Sequence, residues 1–511
     1  MTDRELSGGA CALIAFEGTT VEPRLAALVA DPRVAGVTLY GSINIENAEQ
    51  TRRLTAGLQQ SAGRQLVIGV DQEGGQLTAA GPDTTHFAGN MALGAVGDAD
   101  LAGRVGAATG LELAALGINV NYAPVADIAT RPDNPSLGIR SFGEDPAAVS
   151  RLTAAMVRGL QSAGVAATLK HFPGKGEASV DPHHELPVLD LELERLHRVE
   201  LAPFRSGIEA GARLLMIGHY GIPAVTGIRN LPCSASSAVL RGLVRTDLGF
   251  NGVIVTDALD MGGFAGVPLE EPLAAGADLL LYGPAQAGTL PPAPHHSAQL
   301  EGLLAWLAEF TQPDLSNVGS ATHRDLAAEL AARSITLVRD NDNLVPLALS
   351  GEARVLVVMP RPTDLTPADT SSLVEPGLGA AFRKRHRATT EMVVGYSPTD
   401  QEIGDVLREA ALHDFTIAGT IDSNAAQTRM IRELVGKAAD PRRVVAVALR
   451  TPYDLAGYQE APTYLASYGI HPPTMSALVD ALLGLAPISG RLPVAIPGLY
   501  PIGHGLMRPA A

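Results

Sequence analysis

Eight short apolar runs are spaced along the first half of the chain, at Ala10–Phe16, Val34–Tyr40, Leu66–Val70, Ile118–Tyr122, Ala166–Leu169, Leu214–Ile217, Gly252–Thr256 and Asp278–Tyr282. Most are separated by stretches with apolar residues at i, i+3, i+4 spacing, such as Ala99–Leu116, Ala147–Ala163 and Leu191–Ala210, which read as amphipathic helices. Asp145-Pro146 supplies an N-cap followed by proline at the first helical position. Eight strands alternating with helices over about 290 residues are what a (β/α)8 barrel requires, although the unit after Val70 is long and irregular. The rival is a doubly wound open sheet, weakened because no Gly-rich dinucleotide fingerprint follows the first strand.

At 511 residues the chain is too long for one ordinary domain. Further strands at Val355–Val358, Met392–Val394, Phe415–Ala418 and Val444–Ala448, with helices between them, predict a C-terminal α/β sandwich. The expected division is a barrel over 1–320, a connecting helix over 321–345 and the sandwich over 346–511. A hydrophobic content of 46% with 18% charged residues is globular, and a formal charge of −16 disfavours nucleic acid or an anionic membrane as partner. No stretch approaches the length of a membrane span, and Ala10–Phe16 is too short and badly flanked for a secretory signal, so a cytoplasmic location is expected. The two cysteines, Cys11 and Cys233, read as packed thiols.

If the barrel is right, its chemistry belongs at the carboxyl ends of the strands. Asp71 follows the third run, Asp127 the fourth, Lys170 and His171 the fifth, His219 the sixth and Asp257 the seventh. Arg140, in a long loop on the same side, is suited to clamping hydroxyls or a carboxylate, or else pairs with Glu144 or Asp145. The loop Lys170–Pro187 gathers three histidines, two lysines, one aspartate and two glutamates. Within it, Pro182 pushes Asp181 toward extended geometry, so Asp181 and His183 share a face. Asp181 can then hold the His183 imidazole and stabilise its charged form, as a general acid/base dyad or as a satisfied structural pair. His295-His296 reads as solvent-facing.

Four motifs together carry a family resemblance: Asp71-Gln-Glu-Gly-Gly75, Arg140-Ser-Phe-Gly-Glu-Asp-Pro146, Lys170-His-Phe-Pro-Gly174 with Asp181-x-His183, and Val255-Thr-Asp-Ala-Leu-Asp-Met261. This ordered set resembles glycoside hydrolase family 3, in particular its bacterial β-N-acetylglucosaminidase (β-N-acetylhexosaminidase) branch, and continues through Ser334–Pro346. The resemblance implies that Asp257 is a nucleophile forming a covalent glycosyl-enzyme, with His183 and Asp181 as acid/base. It also implies that Asp71, Arg140, Lys170, His171, His219 and Met261 line the sugar subsite. A retaining glycosidase needs a nucleophile on one side of the sugar and an acid/base on the other, which agrees with this assignment.

The chain departs from the branch's pattern at Lys175, where histidine is usual, and at Glu177, where aspartate is usual. Arginines common after the Gly-Gly pair and after the second strand are absent from Gln76–Ala80 and from Tyr40–Asn44. Those changes bear on which sugar is bound. The expectation is a retaining exo-β-glycosidase acting on terminal β-N-acetylglucosaminides, needing neither cofactor nor metal. The rivals are a phosphorylase on the same scaffold, with phosphate as acceptor and Lys175 adding attraction, a β-glycosidase for another sugar, a metal-dependent hydrolase using His171, His183 and His184, and a non-catalytic sugar-binding module. In larger β-glucosidase relatives the second domain supplies a glutamate acid; here the dyad makes that unnecessary, so the domain is expected to be structural or to complete a pocket wall.

Overall fold

The eight apolar runs become the strands of one closed parallel barrel in a computed structural model of the protein, which describes residues 10–291 and 295–511. Residues 1–9 and 292–294 lie outside the described residues. The strands are β1 Ala12–Ile14, β2 Val34–Leu39, β3 Val67–Val70, β4 Val120–Asn121, β5 Ala166–Phe172, β6 Leu214–Ile217, β7 Val253–Ala258 and β8 Leu279–Leu281. Each pairs in parallel with its sequence neighbours, and β1 closes on β8. Inward residues such as Leu13, Val67, Val120, Leu214 and Val255 fill the interior. Tyr122 packs there with its hydroxyl 2.8 Å from Thr38 Oγ1. A Cβ on Gly69 would fall 2.3 Å from that hydroxyl, so this position must be glycine.

Two local predictions are corrected. The fifth strand does not stop at Leu169; it runs through Lys170 and His171 to Phe172, with an irregular register against β6 between Leu169 and Phe172. The predicted Leu191–Ala210 helix is two helices, Leu193–Arg198 and Ala202–Glu209. Pro203, in the first turn of the second, has no N–H to continue the preceding ladder. Asp145 caps helix Pro146–Ser162 as expected, accepting from Ala147 N and Ala148 N at 3.2 Å each. Both cysteines are buried and unpaired.

The long unit after β3 contains a hairpin, Gln72–Gly74 with Leu77–Thr78, and helix Asn90–Val96. The second sheet has six strands rather than four: β9 Thr336–Asp340, β10 Val355–Pro360, β11 Thr389–Val394, β12 Phe415–Thr420, β13 Val444–Ala448 and β14 Thr463–Ala466, in the order β9-β14-β13-β12-β10-β11. The 321–345 segment is therefore more than a connection, because β9 lies within it as the antiparallel edge of this sheet. The other five strands are parallel, which gives the order 2-1-3-4-5 counted along the chain.

The second domain grips the barrel's irregular unit. Gln76 O accepts from Thr370 N at 2.8 Å, Thr78 N donates to Thr370 Oγ1 at 3.1 Å, and His471 Nε2 donates to Gly75 O at 2.9 Å. Glu144 N and Arg491 N extend the seam through Pro493 O and Ala95 O, both at 3.0 Å. The hairpin after β3 is thus clamped by residues some 300 to 400 positions away. No helix among the described residues is long and apolar enough to cross a membrane.

Candidate active site

Lys170, Asp71, Glu73 and Arg140 form one buried charge network at the carboxyl end of the barrel. Lys170 lies at the end of β5 and its ammonium reaches Asp71 Oδ1 at 2.5 Å and Glu73 Oε1 at 2.6 Å. Arg140 meets Glu73 side-on, Nε to Oε2 at 2.9 Å and Nη2 to Oε1 at 2.8 Å, and donates from Nη1 to Ser136 O at 3.0 Å. Burial alone would raise the Glu73 carboxyl, but Arg140 and Lys170 outweigh it and bring it down to about 2. Burial likewise opposes the charge on Lys170, and the carboxylates of Asp71 and Glu73 overcome it. Arg140 pairs with neither Glu144 nor Asp145, the local partners that were the alternative to a clamping role; Asp145 is committed to its helix cap. Of the four side chains only Asp71 is open to solvent, at 29% exposure; the other three are nearly sealed.

His171 stands beside this network. Its Nδ1 is 2.7 Å from Asp127 Oδ2 and its Nε2 is 3.2 Å from Arg140 Nη2. A guanidinium can only donate, so Nε2 accepts and the proton sits on Nδ1, facing Asp127. Burial, reinforced by Lys175, Arg140 and Lys170, holds His171 well below the ordinary imidazole range, in keeping with that neutral form. Asp127 Oδ1 also accepts from His171 N at 3.2 Å and Lys175 N at 2.9 Å, so one carboxylate shapes the turn after β5. Lys175 is itself buried, and its ammonium makes no ion pair with the described residues. Burial, with Arg140 adding repulsion, brings it down to about 7 against the pull of Asp127, Asp257 and Glu73.

Asp181 and His183 meet as their spacing suggested, with Nδ1 2.6 Å from Asp181 Oδ1 and the His183 backbone N–H on the same oxygen at 3.0 Å. Burial opposes ionisation of Asp181, but His183 and that N–H prevail and bring it down to about 2. His183 Nε2 has no hydrogen-bond partner among the described residues, and the ring is 23% exposed. The loop is pinned to the segment after β7: Gly262 N donates to His183 O and Gly263 N to Pro182 O, both at 2.9 Å. A Cβ on Gly262 would lie 2.1 Å from His184 O, so the close seam depends on glycine there. His184 itself is exposed.

That seam brings the dyad loop to Asp257, which lies in β7, is half-buried, and accepts at Oδ1 from Ala258 N at 2.9 Å. His219 lies just past β6, fully buried, with both nitrogens used: Nε2 to Ala258 O at 3.1 Å and Nδ1 to Ser234 Oγ at 2.7 Å. The carbonyl can only accept, so Nε2 carries the proton and Ser234 donates to Nδ1. His219 thus braces the backbone that follows Asp257. Met261 is buried in the same segment.

Glu73 and the Asp127–His171 pair are the parts that sequence reasoning missed. Asp71 and Glu73 are spaced i, i+2, a spacing that puts side chains on one face of an extended segment, so the signal for Glu73 was available. Nothing local linked Asp127 to His171, 44 residues on. Among the described residues no group of three or more His, Cys, Asp or Glu is arranged to hold a metal ion. His296, exposed, hydrogen-bonds Glu301 at 3.1 Å.

Residues 12–293 match the glycosyl hydrolase family 3 N-terminal domain. The chain belongs to glycoside hydrolase family 3. It is 30% identical to β-hexosaminidase A of Pseudoalteromonas piscicida, over 94% of this chain and 92% of that one. It is also 30% identical to a β-N-acetylglucosaminidase/β-glucosidase of Cellulomonas fimi, over 86% and 85%. The structure of a family 3 β-N-acetylglucosaminidase from Paenibacillus sp. str. FPU-7 superposes with a TM-score of 0.85 at 31% identity, covering 97% of this chain and 99% of that one. The barrel with its α/β second domain is thus the family 3 architecture, and the protein is a glycoside hydrolase.

Proposed function

We propose that this family 3 enzyme is a retaining exo-β-N-acetylglucosaminidase in which Asp257 is the nucleophile and His183, oriented by Asp181, is the acid/base. The observation that carries the reading is the free Nε2 of His183: its other nitrogen is held by Asp181, and its loop is tied to the Met261–Gly263 turn just beyond Asp257. In the first step Asp257 attacks the anomeric carbon while His183 passes its Nε2 proton to the departing glycosidic oxygen. In the second, His183 takes a proton from the attacking water and the Asp257 ester is cleaved. Asp181, held as a carboxylate, keeps Nδ1 protonated and stabilises the imidazolium that gives up its Nε2 proton in the first step and is re-formed in the second. Asp71, backed by Lys170, presents charged acceptors to sugar hydroxyls, while Glu73 and Arg140 fix Lys170 from behind. Two other residues expected in the subsite act through neighbours in this reading: His171 by steadying Arg140, His219 by bracing the β7 end.

A second reading, phosphorolysis, is favoured by one observation. Lys175 is a buried ammonium without an ion-pair partner near Asp257, and a histidine acid/base presents no negative charge to an incoming phosphate. One experiment separates the readings: initial rates on aryl β-glycosides of N-acetylglucosamine, glucose, galactose and xylose, with and without inorganic phosphate, and with a chelator. Preference for the N-acetylglucosaminide, with free sugar released whether or not phosphate is present, is expected. Accumulation of sugar 1-phosphate would transfer the assignment to the phosphorylase, and loss of activity to the chelator, restored by zinc, would overturn the metal-free mechanism.

A further inference from the structure

Away from the catalytic residues, a cavity of about 370 Å³ opens at the junction of the two domains. In the second sheet, chain order 2-1-3-4-5 places a topological switch between β10 and β12, and open parallel sheets bind ligands outside the carboxyl ends of their strands at such a point. The cavity lies there. One wall comes from the segments that follow β10, β12 and β13, which contribute Leu365, Asp422 and Arg450; the opposite wall is the barrel loop 132–138 together with Gln76. Its volume falls in the range typical of small-ligand sites, roughly 300–1,000 Å³.

The walls carry polar atoms with nothing to bond. Gln76, 3% exposed, leaves Oε1 without a hydrogen-bond partner, and the half-buried Tyr453 has a sealed hydroxyl that is likewise unpartnered. Beside them Arg450 is sealed on Asp369 Oδ2 at 2.8 Å and Asp422 Oδ2 at 3.1 Å. Asp422 holds a backbone φ of +39°, uncommon for a residue with a Cβ, and its other oxygen accepts from Thr451 N at 3.2 Å and Thr451 Oγ1 at 2.5 Å. Asp454 adds a second buried carboxyl, accepting from Ser423 N at 2.7 Å and Thr420 Oγ1 at 2.6 Å. One guanidinium among three carboxyl groups leaves no net positive charge to attract an anion. Unpaired acceptor and donor atoms on facing walls suit hydroxyl groups, each of which both donates and accepts.

We propose that this domain-junction cavity is a second binding site, separate from the catalytic centre, for a neutral polyhydroxylated ligand of the size of one saccharide unit. Gln76 Oε1 and the Tyr453 hydroxyl are its specific contacts, with Asp422 and Arg450 as a fixed polar floor. The Gln76 side chain faces the junction, with its Nε2 3.5 Å from Ala368 O of the second domain. Occupancy has a route to the catalytic end, because the cavity wall includes Ser136, whose carbonyl accepts from Arg140 Nη1 at 3.0 Å.

The test is calorimetric titration of the full chain with N-acetylglucosamine, with glucose and with inorganic phosphate, for the wild type, Tyr453→Phe and Leu365→Trp. Tyr453→Phe removes only an unbonded buried hydroxyl, so the fold is kept; Leu365→Trp fills the cavity from its rim. Two classes of sugar site are expected in the wild type. Tyr453→Phe should weaken one about tenfold, Leu365→Trp should abolish that same one, and the other should be unchanged. The absence of any sugar site weakened by Tyr453→Phe and abolished by Leu365→Trp, or phosphate displacing the sugar from the affected site, would each overturn the proposal. Hydrolysis of aryl glycosides is measured separately, so failure of the N-acetylglucosaminidase reading would appear there and leave the titration to stand or fall alone.

Discussion

Glu73 is the residue on which the catalytic end depends most, and replacing it with glutamine tests that dependence. The substitution keeps the side chain's shape and removes its charge, leaving Arg140 without a carboxylate partner while Lys170 retains Asp71. Its size follows from the carboxyl's displacement from 4.5 to about 2. At about 1.4 kcal/mol per pH unit this corresponds to about 3 kcal/mol in favour of the charged form in the folded state. That agrees with the roughly 3–5 kcal/mol lost when one partner of a buried ion pair is removed. The sign is that of a depressed acid. Between pH 4.5 and 2 the unfolded chain binds more protons than the folded one, so the contribution is complete above pH 4.5 and is lost as pH falls through 2. Relative to pH 7, the wild type's advantage over Glu73→Gln should shrink by about 1 kcal/mol at pH 4 and about 2 kcal/mol at pH 3. Denaturant titration followed by tryptophan fluorescence suits the measurement, because the single tryptophan, Trp306, lies in helix Ala298–Leu307 against the barrel and reports its unfolding. A difference below about 1 kcal/mol at pH 7, or one that stays constant down to pH 3, would refute the linkage drawn between Glu73 and its two cations.

Three further outcomes are expected. Asp257→Ala should abolish turnover with an unchanged melting temperature, and a mechanism-based fluorosugar should label Asp257; label on another peptide would remove it as nucleophile. His183→Ala should slow poor leaving groups by roughly 100- to 10,000-fold and activated aryl groups much less, with Asp181→Asn milder; equal loss on good and poor leaving groups would point to a structural histidine instead. His471, stacked on His86 with ring centroids 4.6 Å apart, is held at about 4 by burial and by its neighbour. The unfolded chain therefore takes up the proton first, and about 3 kcal/mol of stability should fade as pH falls from 6.5 to 4; His471→Gln should flatten that limb, and an unaltered acid profile would contradict it.

The barrel was legible because each strand declares itself locally. A run of apolar residues closed by polar ones needs no knowledge of distant chain, and the polar residues at those closures, Asp71, Lys170, His171, His219 and Asp257, fall at one end by the periodicity of the fold alone. The Asp181–His183 contact was equally local, two residues apart across a proline. β9 escaped notice because Thr336–Asp340 ends in the charged pair Arg339-Asp340 and runs antiparallel behind a helix that reads as a linker, and nothing in the local pattern set Thr463–Ala466 apart.

What the sequence by itself determined is therefore the set of elements and the chemical types at their ends, since propensity, patterning and two-residue spacing are properties of neighbours in the chain. What only the tertiary structure decided is which charges meet. Arg140 found Glu73, 67 residues away, rather than the nearer Glu144 or Asp145, and His471 reached Gly75 across 396 residues. The physical reason is that a buried charge is tolerated only where opposite charge and oriented dipoles converge from several strands, and that convergence exists only once the barrel has closed and the second domain has docked on its hairpin.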